Sequence, residues 1–184
     1  MKTADWIRML SALGEPNAGN LPPDPTLLRG DRGEQRLWRA CMGEAVGLDD
    51  LLADRGGPLL APDAYLAIEV WAECELSALH ALFRLAREAG AGRPDLLRRA
   101  RQAAAWHLEH TQPDNSTNRP WALHAFLLLD PGSGEGGLYA ETLLHNMAAT
   151  EARSEPLSRW ILSDAARELV IADGPGAIPY HSRP

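Results

Sequence analysis

Alanine and leucine account for 29 residues each in this chain of 184, whereas the β-branched aliphatic residues are scarce, with five Ile and three Val. Strands favour β-branched side chains, and helices favour Ala and Leu. The sequence therefore predicts an all-α fold, either an antiparallel helical bundle or a short array of α-hairpins, with five to seven helices. A single domain of this length buries enough apolar surface to fold without disulfides or a metal.

Charge and lysine content exclude several functions. Eighteen Lys and Arg residues stand against 25 Asp and Glu residues, a formal net charge of −7, which disfavours binding to nucleic acid phosphates. Lys2 is the only lysine, so no interior lysine exists for Schiff-base chemistry or a phosphate-binding loop. Residues 1–13 show no apolar signal segment, and no apolar run approaches the roughly 18 residues of a membrane span. We therefore expect a cytoplasmic protein that binds neither nucleic acid nor membrane.

Both cysteines are predicted to be structural. Cys41 and Cys74 fall in apolar helical stretches and match no redox or zinc-binding spacing. Glu73 and Glu75 flank Cys74, and nearby carboxylates disfavour a thiolate. We expect no cofactor and no structural metal.

Proline and glycine divide the chain into three stretches of a single domain. Residues 1–62 are irregular, with short helices predicted over 5–13, 34–46 and 48–55. Residues 63–172 form the helical core, and residues 173–184 form an extended tail. The core contains five predicted helices, at 63–89, 94–111, 119–129, 138–151 and 155–172.

One predicted hairpin combines a helix that ends in His107-x-x-His110, a polar loop over 112–118 and a helix that opens with Arg119-Pro120-Trp121. Residues 94–129 thereby resemble an α-hairpin unit of the (α/α) toroid proteins, which include six-hairpin glycosidases and sugar epimerases. In that superfamily the loops at the hairpin ends line a carbohydrate-binding funnel. The resemblance implies a carbohydrate site at this loop, and no catalytic role carries over from it.

A polar stripe runs along the predicted helix 63–89, which is otherwise apolar on almost every side. At about 100° per residue, Glu69, Glu73, His80 and Arg84 fall on one face. The stripe is either an ordinary solvated face or a polar seam that faces a cavity.

The following helices bring further histidines toward the same layer. His107 and His110 lie on or beside the buried side of the predicted helix 94–111. Distances from the predicted turns place Glu73 level with His110, and His107 near the level of His124. Distances from the next predicted turn, where His145 and His124 differ by the same two residues, bring His145 toward this layer as well. The sequence therefore predicts a layer of His and Glu across four helices.

Our first hypothesis for this layer is a binding domain. A polar pocket at the hairpin end would take a small molecule or a protein partner, and the chain could also form a homo-oligomer. The expected ligand-binding residues are Asp114, Asn115, Asn118, Trp121 and His124.

The alternatives assign chemistry to the same layer. A carbohydrate-active or other acid/base enzyme would use Glu73, His107 and His110, because a carboxylate can orient an imidazole that titrates near neutrality. A second alternative is a metal site inside the bundle, built from inward-facing His and Glu. Its support is weak, because the spacings match no metal-binding motif, and we predict no metal ligands.

Overall fold

The computed structural model describes residues 2–53, 55–111, 117–129 and 134–173. These ranges contain eight α-helices and no β-strand, which confirms the predicted all-α class. The predicted tail, beyond Asp173, and the loop residues 112–116 lie outside the described residues. The helices are α1 (Thr3–Leu13), α2 (Gly33–Cys41), α3 (Asp49–Leu52), α4 (Ile68–Ala89), α5 (Pro94–His110), α6 (Leu123–Leu129), α7 (Glu135–Ala149) and α8 (Pro156–Asp173).

Several helices are shorter than the sequence predicts, because neighbouring groups compete for the backbone. The helix predicted to start at residue 119 begins at Leu123 instead. Its predicted first turn is an irregular segment, in which the Arg119 N–H donates to the Thr117 hydroxyl and Ala122 has a left-handed backbone with φ of 55°. The helix predicted over 34–46 ends at Cys41, just before Gly43 with φ of 83°.

Helix α4 is the centre of the fold, as its nearly continuous apolar sequence predicts. Helices α2, α5 and α6 pack against it. The main core includes the fully buried side chains of Leu37, Trp38, Leu76, Leu79 and Phe126. A second apolar cluster joins α1, α6, α7 and α8, so the first helix of the chain packs against the last.

The hairpin of α4 and α5 positions the residues of the candidate site. Gly90, with φ of 55°, ends α4, and a 3₁₀ turn over Gly90–Gly92 leads into α5 with Pro94 in its first turn. Glu75 on α4 pairs with His107 on α5, which shows that the two helices run antiparallel with these residues level.

The irregular segment before α4 is held by side chains of the core helices. The Arg99 guanidinium donates to the carbonyl oxygens of Leu51, Gly57 and Pro58. The buried Glu75 carboxylate accepts from the N–H groups of Leu59 and Leu60, both at 2.7 Å. This segment thereby packs on the core, although its described residues form no regular element except a 3₁₀ turn at Pro62–Ala64.

Candidate functional site

A cavity of about 350 Å³ lies where α4, α5 and α7 meet. We call it the Trp–His pocket. None of the ten described residues that line it is Asp, Glu, Lys or Arg. They are Pro62, Ile68, Trp71, Ala72, Leu76, Trp106, His107, His110, Thr111 and Tyr139.

Aromatic rings form the walls of the Trp–His pocket. Trp71 and Trp106 meet edge to face, with centroids 6.4 Å apart and planes at 89°. The His110 ring stacks on Trp106 at 5.0 Å and 7°, and its Nδ1 lies 3.0 Å from the Trp106 carbonyl oxygen. Trp71 is buried, and its indole N–H donates to the Leu60 carbonyl oxygen at 2.9 Å. These contacts fix the orientation of the rings.

A chain of hydrogen bonds connects the pocket to the buried Glu75. His107 Nε2 lies 3.2 Å from Glu75 Oε1, and His107 Nδ1 lies 3.0 Å from the Thr111 hydroxyl. The Thr111 hydroxyl also lies 2.9 Å from the Tyr139 hydroxyl, which belongs to the pocket wall. Because a carboxylate only accepts hydrogen bonds, neutral His107 holds its proton on Nε2. The single Thr111 hydroxyl proton can then go either to His107 Nδ1 or to the His107 carbonyl oxygen, which is also 3.0 Å away.

Burial favours the protonated form of the Tyr139 hydroxyl. It raises the pKa of Tyr139 to about 12, against the smaller lowering effect of the hydrogen bond with Thr111. Tyr139 is therefore a neutral phenol near pH 7, and it can donate a hydrogen bond to Thr111 or to a molecule in the pocket.

The structure brings together only some of the predicted site residues. His107 and His110 both line the Trp–His pocket, with His107 buried and His110 about half exposed. Asn118 is exposed, and Asp114 and Asn115 lie outside the described residues. His145 is also exposed, on α7.

Glu73 does not join the two histidines, contrary to the predicted layer. It accepts hydrogen bonds from the Thr117 hydroxyl, from the Arg119 guanidinium at 3.0 Å and from the Trp121 indole at 2.7 Å. Trp121 itself is buried. Glu73 and Trp121 thus attach the segment before α6 to α4, and Glu75 replaces Glu73 as the partner of His107.

His124 belongs to a separate polar cluster in the core. We call His80, Arg84, His124 and Asp164 the His80 cluster. The Ala122 N–H donates to His80 Nδ1 at 3.2 Å, so in neutral His80 the proton is on Nε2, 3.0 Å from Asp164 Oδ2. Arg84 donates to the other oxygen of Asp164 at 3.0 Å. His124 lies 4.5 Å from His80 between ring centroids.

The His80 cluster is a structural network. His80, His124 and Asp164 have no exposed surface, and the rings of Trp38, Trp121 and Trp160 lie within 6.0 Å of His80. Burial raises the pKa of Asp164, but the hydrogen bond from His80 and the nearby positive charges lower it to about 2. The polar stripe predicted on α4 is thus buried at His80 and Arg84, which pair with Asp164 on α8.

Neither metal binding nor thiol chemistry finds support within the described ranges. No three His, Cys, Asp or Glu side chains among these residues come together as metal ligands. Both cysteines are free and partly buried. Burial, followed by the charge of Glu88 for Cys41 and of Glu34 for Cys74, raises each thiol pKa to about 12.

Among the described residues, no helix has a sufficiently long apolar stretch to span a bilayer.

Sequence reasoning did not identify Trp71, Glu75, Thr111 or Tyr139 as site residues. Their spacing in the sequence could have indicated three of them. Trp71 and Glu75 are four residues apart on α4, and Thr111 follows His107 by four residues at the end of α5. Each pair therefore lies on one side of its helix. Tyr139 comes from a later helix and has no comparable signal.

No protein-family model matches the chain, and neither a curated protein nor a solved structure shows significant similarity to it. The resemblance of residues 94–129 to the (α/α) toroid proteins therefore stays a prediction.

Proposed function

We propose that this chain is a binding domain for a neutral, ring-shaped small molecule that occupies the Trp–His pocket. The observation that carries the proposal is a cavity of about 350 Å³ with aromatic walls and no Asp, Glu, Lys or Arg among the described lining residues. Ligand-binding pockets are typically about 300 to 1,000 Å³ and are largely apolar, with a few polar groups that orient the ligand.

The polar groups of the pocket restrict the ligand further. Tyr139 and Thr111 supply hydroxyls that already contact each other, so they suit a ligand with one hydroxyl or carbonyl group. An ionised ligand would lose its hydration without gaining an ion pair with Asp, Glu, Lys or Arg, none of which is among the described lining residues. The proposed ligand is therefore a flat, mostly apolar ring with a single hydroxyl or carbonyl group.

Saturation-transfer NMR with a matched series of probes tests this proposal. We expect 2-naphthol to bind, and we expect 2-naphthoate, which has a similar ring but a charge, to bind at least tenfold more weakly. Trp106→Ala should abolish the naphthol signal. Val170→Ala, which changes an exposed residue of α8, is the control and should leave the signal intact. Binding that survives Trp106→Ala would contradict the proposal.

A carbohydrate ligand is the informative alternative outcome of the same assay. Methyl glucoside has a ring of similar size but several hydroxyls, and its binding would favour the carbohydrate site that the toroid resemblance implies. Binding of methyl glucoside without binding of 2-naphthol would replace our assignment of the ligand class.

A second candidate function is acid/base catalysis in the same pocket, and one observation favours it. The hydrogen bonds from Glu75 through His107 and Thr111 end at the Tyr139 hydroxyl, in the wall of the cavity. Such a chain can shift protons between a ligand and His107. Glu73, proposed from the sequence for this role, is occupied with Thr117, Arg119 and Trp121.

Deuterium exchange measures proton transfer in the pocket directly. With 2-tetralone in D₂O, an acid/base site would accelerate loss of the α-proton NMR signal, and Tyr139→Phe would slow it at least tenfold. Equal rates with and without the protein would reject the catalytic candidate and leave the binding function standing.

A further inference from the structure

A second cavity, of about 440 Å³, lies on the other side of the segment that Glu75 holds. Leu51, Leu59 and Leu60 contribute buried apolar surface to it. Three arginines, Arg32, Arg36 and Arg55, also line this cavity, which we call the arginine groove. The groove shares none of its described lining residues with the Trp–His pocket.

Arg36 is part of the fixed wall of the groove. Its guanidinium forms two hydrogen bonds with the Asp50 carboxylate, at 2.8 and 2.6 Å, and one with the Gly47 carbonyl oxygen at 2.7 Å. The pair leaves little net charge, because both oxygens of Asp50 are engaged. The Nε of Arg36 is buried and has no hydrogen-bond partner among the described residues.

Arg55 supplies positive charge that no described carboxylate pairs with, and Arg32 supplies donor nitrogens although the buried Glu34 offsets its charge. Arg32 pairs with Glu34 through Nε at 3.0 Å, and its side chain is 60% exposed, so its terminal nitrogens remain accessible. Arg55 is exposed and forms no ion pair with any described residue. In a chain with net charge −7 and one lysine, two accessible guanidiniums at one apolar cavity form a local anion-binding surface.

The rim of the groove also exposes apolar side chains. Leu66 is fully exposed, with a relative accessibility of 107%, and Val70 is 47% exposed. Both line the groove. An apolar body that lay along Leu66 and Val70 would remove this surface from water, at roughly 25 cal/mol per Å².

We propose that the arginine groove binds an amphipathic carboxylate, with the carboxylate at Arg32 and Arg55 and the aliphatic body along Leu66 and Val70. The charge of Arg55 and the donor nitrogens of Arg32 select the anion, and the exposed apolar rim selects the aliphatic chain. A second copy of this protein is a poorer occupant, because a two-fold contact through this surface would bring its arginines near those of the partner. The proposal concerns a different cavity and a different ligand class from the proposed function, and it stands independently of it.

Isothermal titration with a matched set of amphiphiles of nearly equal alkyl-chain length, each below its micelle concentration or solubility limit, tests the proposal. Decanoate should bind at least tenfold more tightly than decanol, and decyltrimethylammonium should bind most weakly. Arg55→Glu should weaken decanoate binding at least tenfold. Arg98→Glu makes the same charge change at an exposed position on α5, away from the groove, and should leave the affinity unchanged.

Further variants separate the alternatives. Leu66→Ser, a substitution of a fully exposed residue, should weaken decanoate and decanol alike. Trp106→Ala should leave decanoate affinity unchanged; a loss there would place the ligand in the Trp–His pocket and overturn the proposal. Equal affinity for decanoate and decyltrimethylammonium would overturn it as well. So would a dimer in size-exclusion chromatography that Leu66→Ser dissociates, because a second copy would then occupy the groove.

Discussion

Glu75 has no exposed surface, and three hydrogen-bond donors depend on it. These donors are the N–H groups of Leu59 and Leu60 and the Nε2 of His107. Glu75→Ala would leave all three without their acceptor inside the protein. We expect the free energy of unfolding in urea to fall by about 3 to 5 kcal/mol.

Glu69→Ala is the matched control for this prediction. Glu69 lies on the same helix but is exposed, so its loss should change the free energy of unfolding by less than about 0.5 kcal/mol. Similar effects of the two substitutions would contradict the central role of Glu75.

His124 should make the protein sensitive to acid. Its ring has no exposed surface, and neither ring nitrogen has a hydrogen-bond partner among the described residues. Burial, followed by the charge of His80, lowers the pKa of His124 well below 6.5. As the pH falls below 6.5, His124 of the unfolded chain takes up a proton that the folded chain excludes, so acid favours unfolding.

Replacement of His124 by Phe should remove this sensitivity while keeping most of the ring volume. Between pH 7 and pH 5, the wild type should lose about 2 kcal/mol more unfolding free energy than His124→Phe. Urea unfolding at both pH values measures the difference. His145→Gln, at an exposed position, should behave as the wild type does. The prediction fails if the wild type and His124→Phe lose stability in parallel.

At the scale of elements, side-chain pairs join α4 to α8. His80 and Arg84 contact Asp164, and Arg87 contacts Glu168 at 2.5 Å. Glu168 is buried, and burial raises its pKa to about 7 in spite of the charge of Arg87. The folded state therefore holds the Glu168 proton more tightly than the unfolded state, whose carboxyl has a pKa near 4.5.

The sign of the resulting pH dependence is opposite to that of His124. The contribution of Glu168 to stability is fully present below pH 4.5 and is lost as the pH rises through 7. Glu168→Gln cannot titrate, so its unfolding free energy relative to the wild type should rise by about 2 kcal/mol from pH 5 to pH 8. A relative stability that stays constant over this range, measured by urea unfolding, would count against this assignment.

The pairing of α4 with α5 shows how far the sequence alone can lead. The turn predicted near residues 91 and 92 places residue 73 level with residue 110, and the observed pair of Glu75 and His107 agrees with that register to within one residue. The prediction of which side of α4 faces α5 was wrong. Glu73 and Glu75 flank Cys74, and we assigned Glu73 to the side that Glu75 occupies. The backbone N–H groups of Leu59 and Leu60 select Glu75, and a sequence pattern does not reveal backbone donors of a distant irregular segment.

The segment before α6 shows a second limit. Pro120 predicts a helix start, but Arg119 instead binds Glu73 and Glu155, and the Ala122 N–H binds His80. These long-range contacts outweigh the local signal. The helical class, by contrast, follows from the Ala and Leu content and needs no such contacts.

At the scale of the whole molecule, the N-terminal third belongs to the same core as the later helices. Leu37 and Trp38 on α2 are fully buried in the main cluster, and the Trp38 indole N–H donates to the Ser77 hydroxyl on α4 at 3.0 Å. We therefore expect one cooperative unfolding transition. Tryptophan fluorescence and far-UV circular dichroism should give the same urea midpoint. Separate midpoints would contradict a single cooperative transition.

The contacts that hold the segment before α4 determine which positions tolerate substitution. Arg99 donates hydrogen bonds to the carbonyl oxygens of Gly57 and Pro58, atoms that every amino acid carries. A Cβ added at Gly57 meets its nearest atom at 3.9 Å, an ordinary distance. The path of the chain at Gly57 and Pro58 is thus held through backbone atoms, by a side chain that lies 42 residues beyond Gly57, at Arg99. A mutational scan should find Arg99, on a helix that follows this stretch, less tolerant of substitution than Gly57 itself.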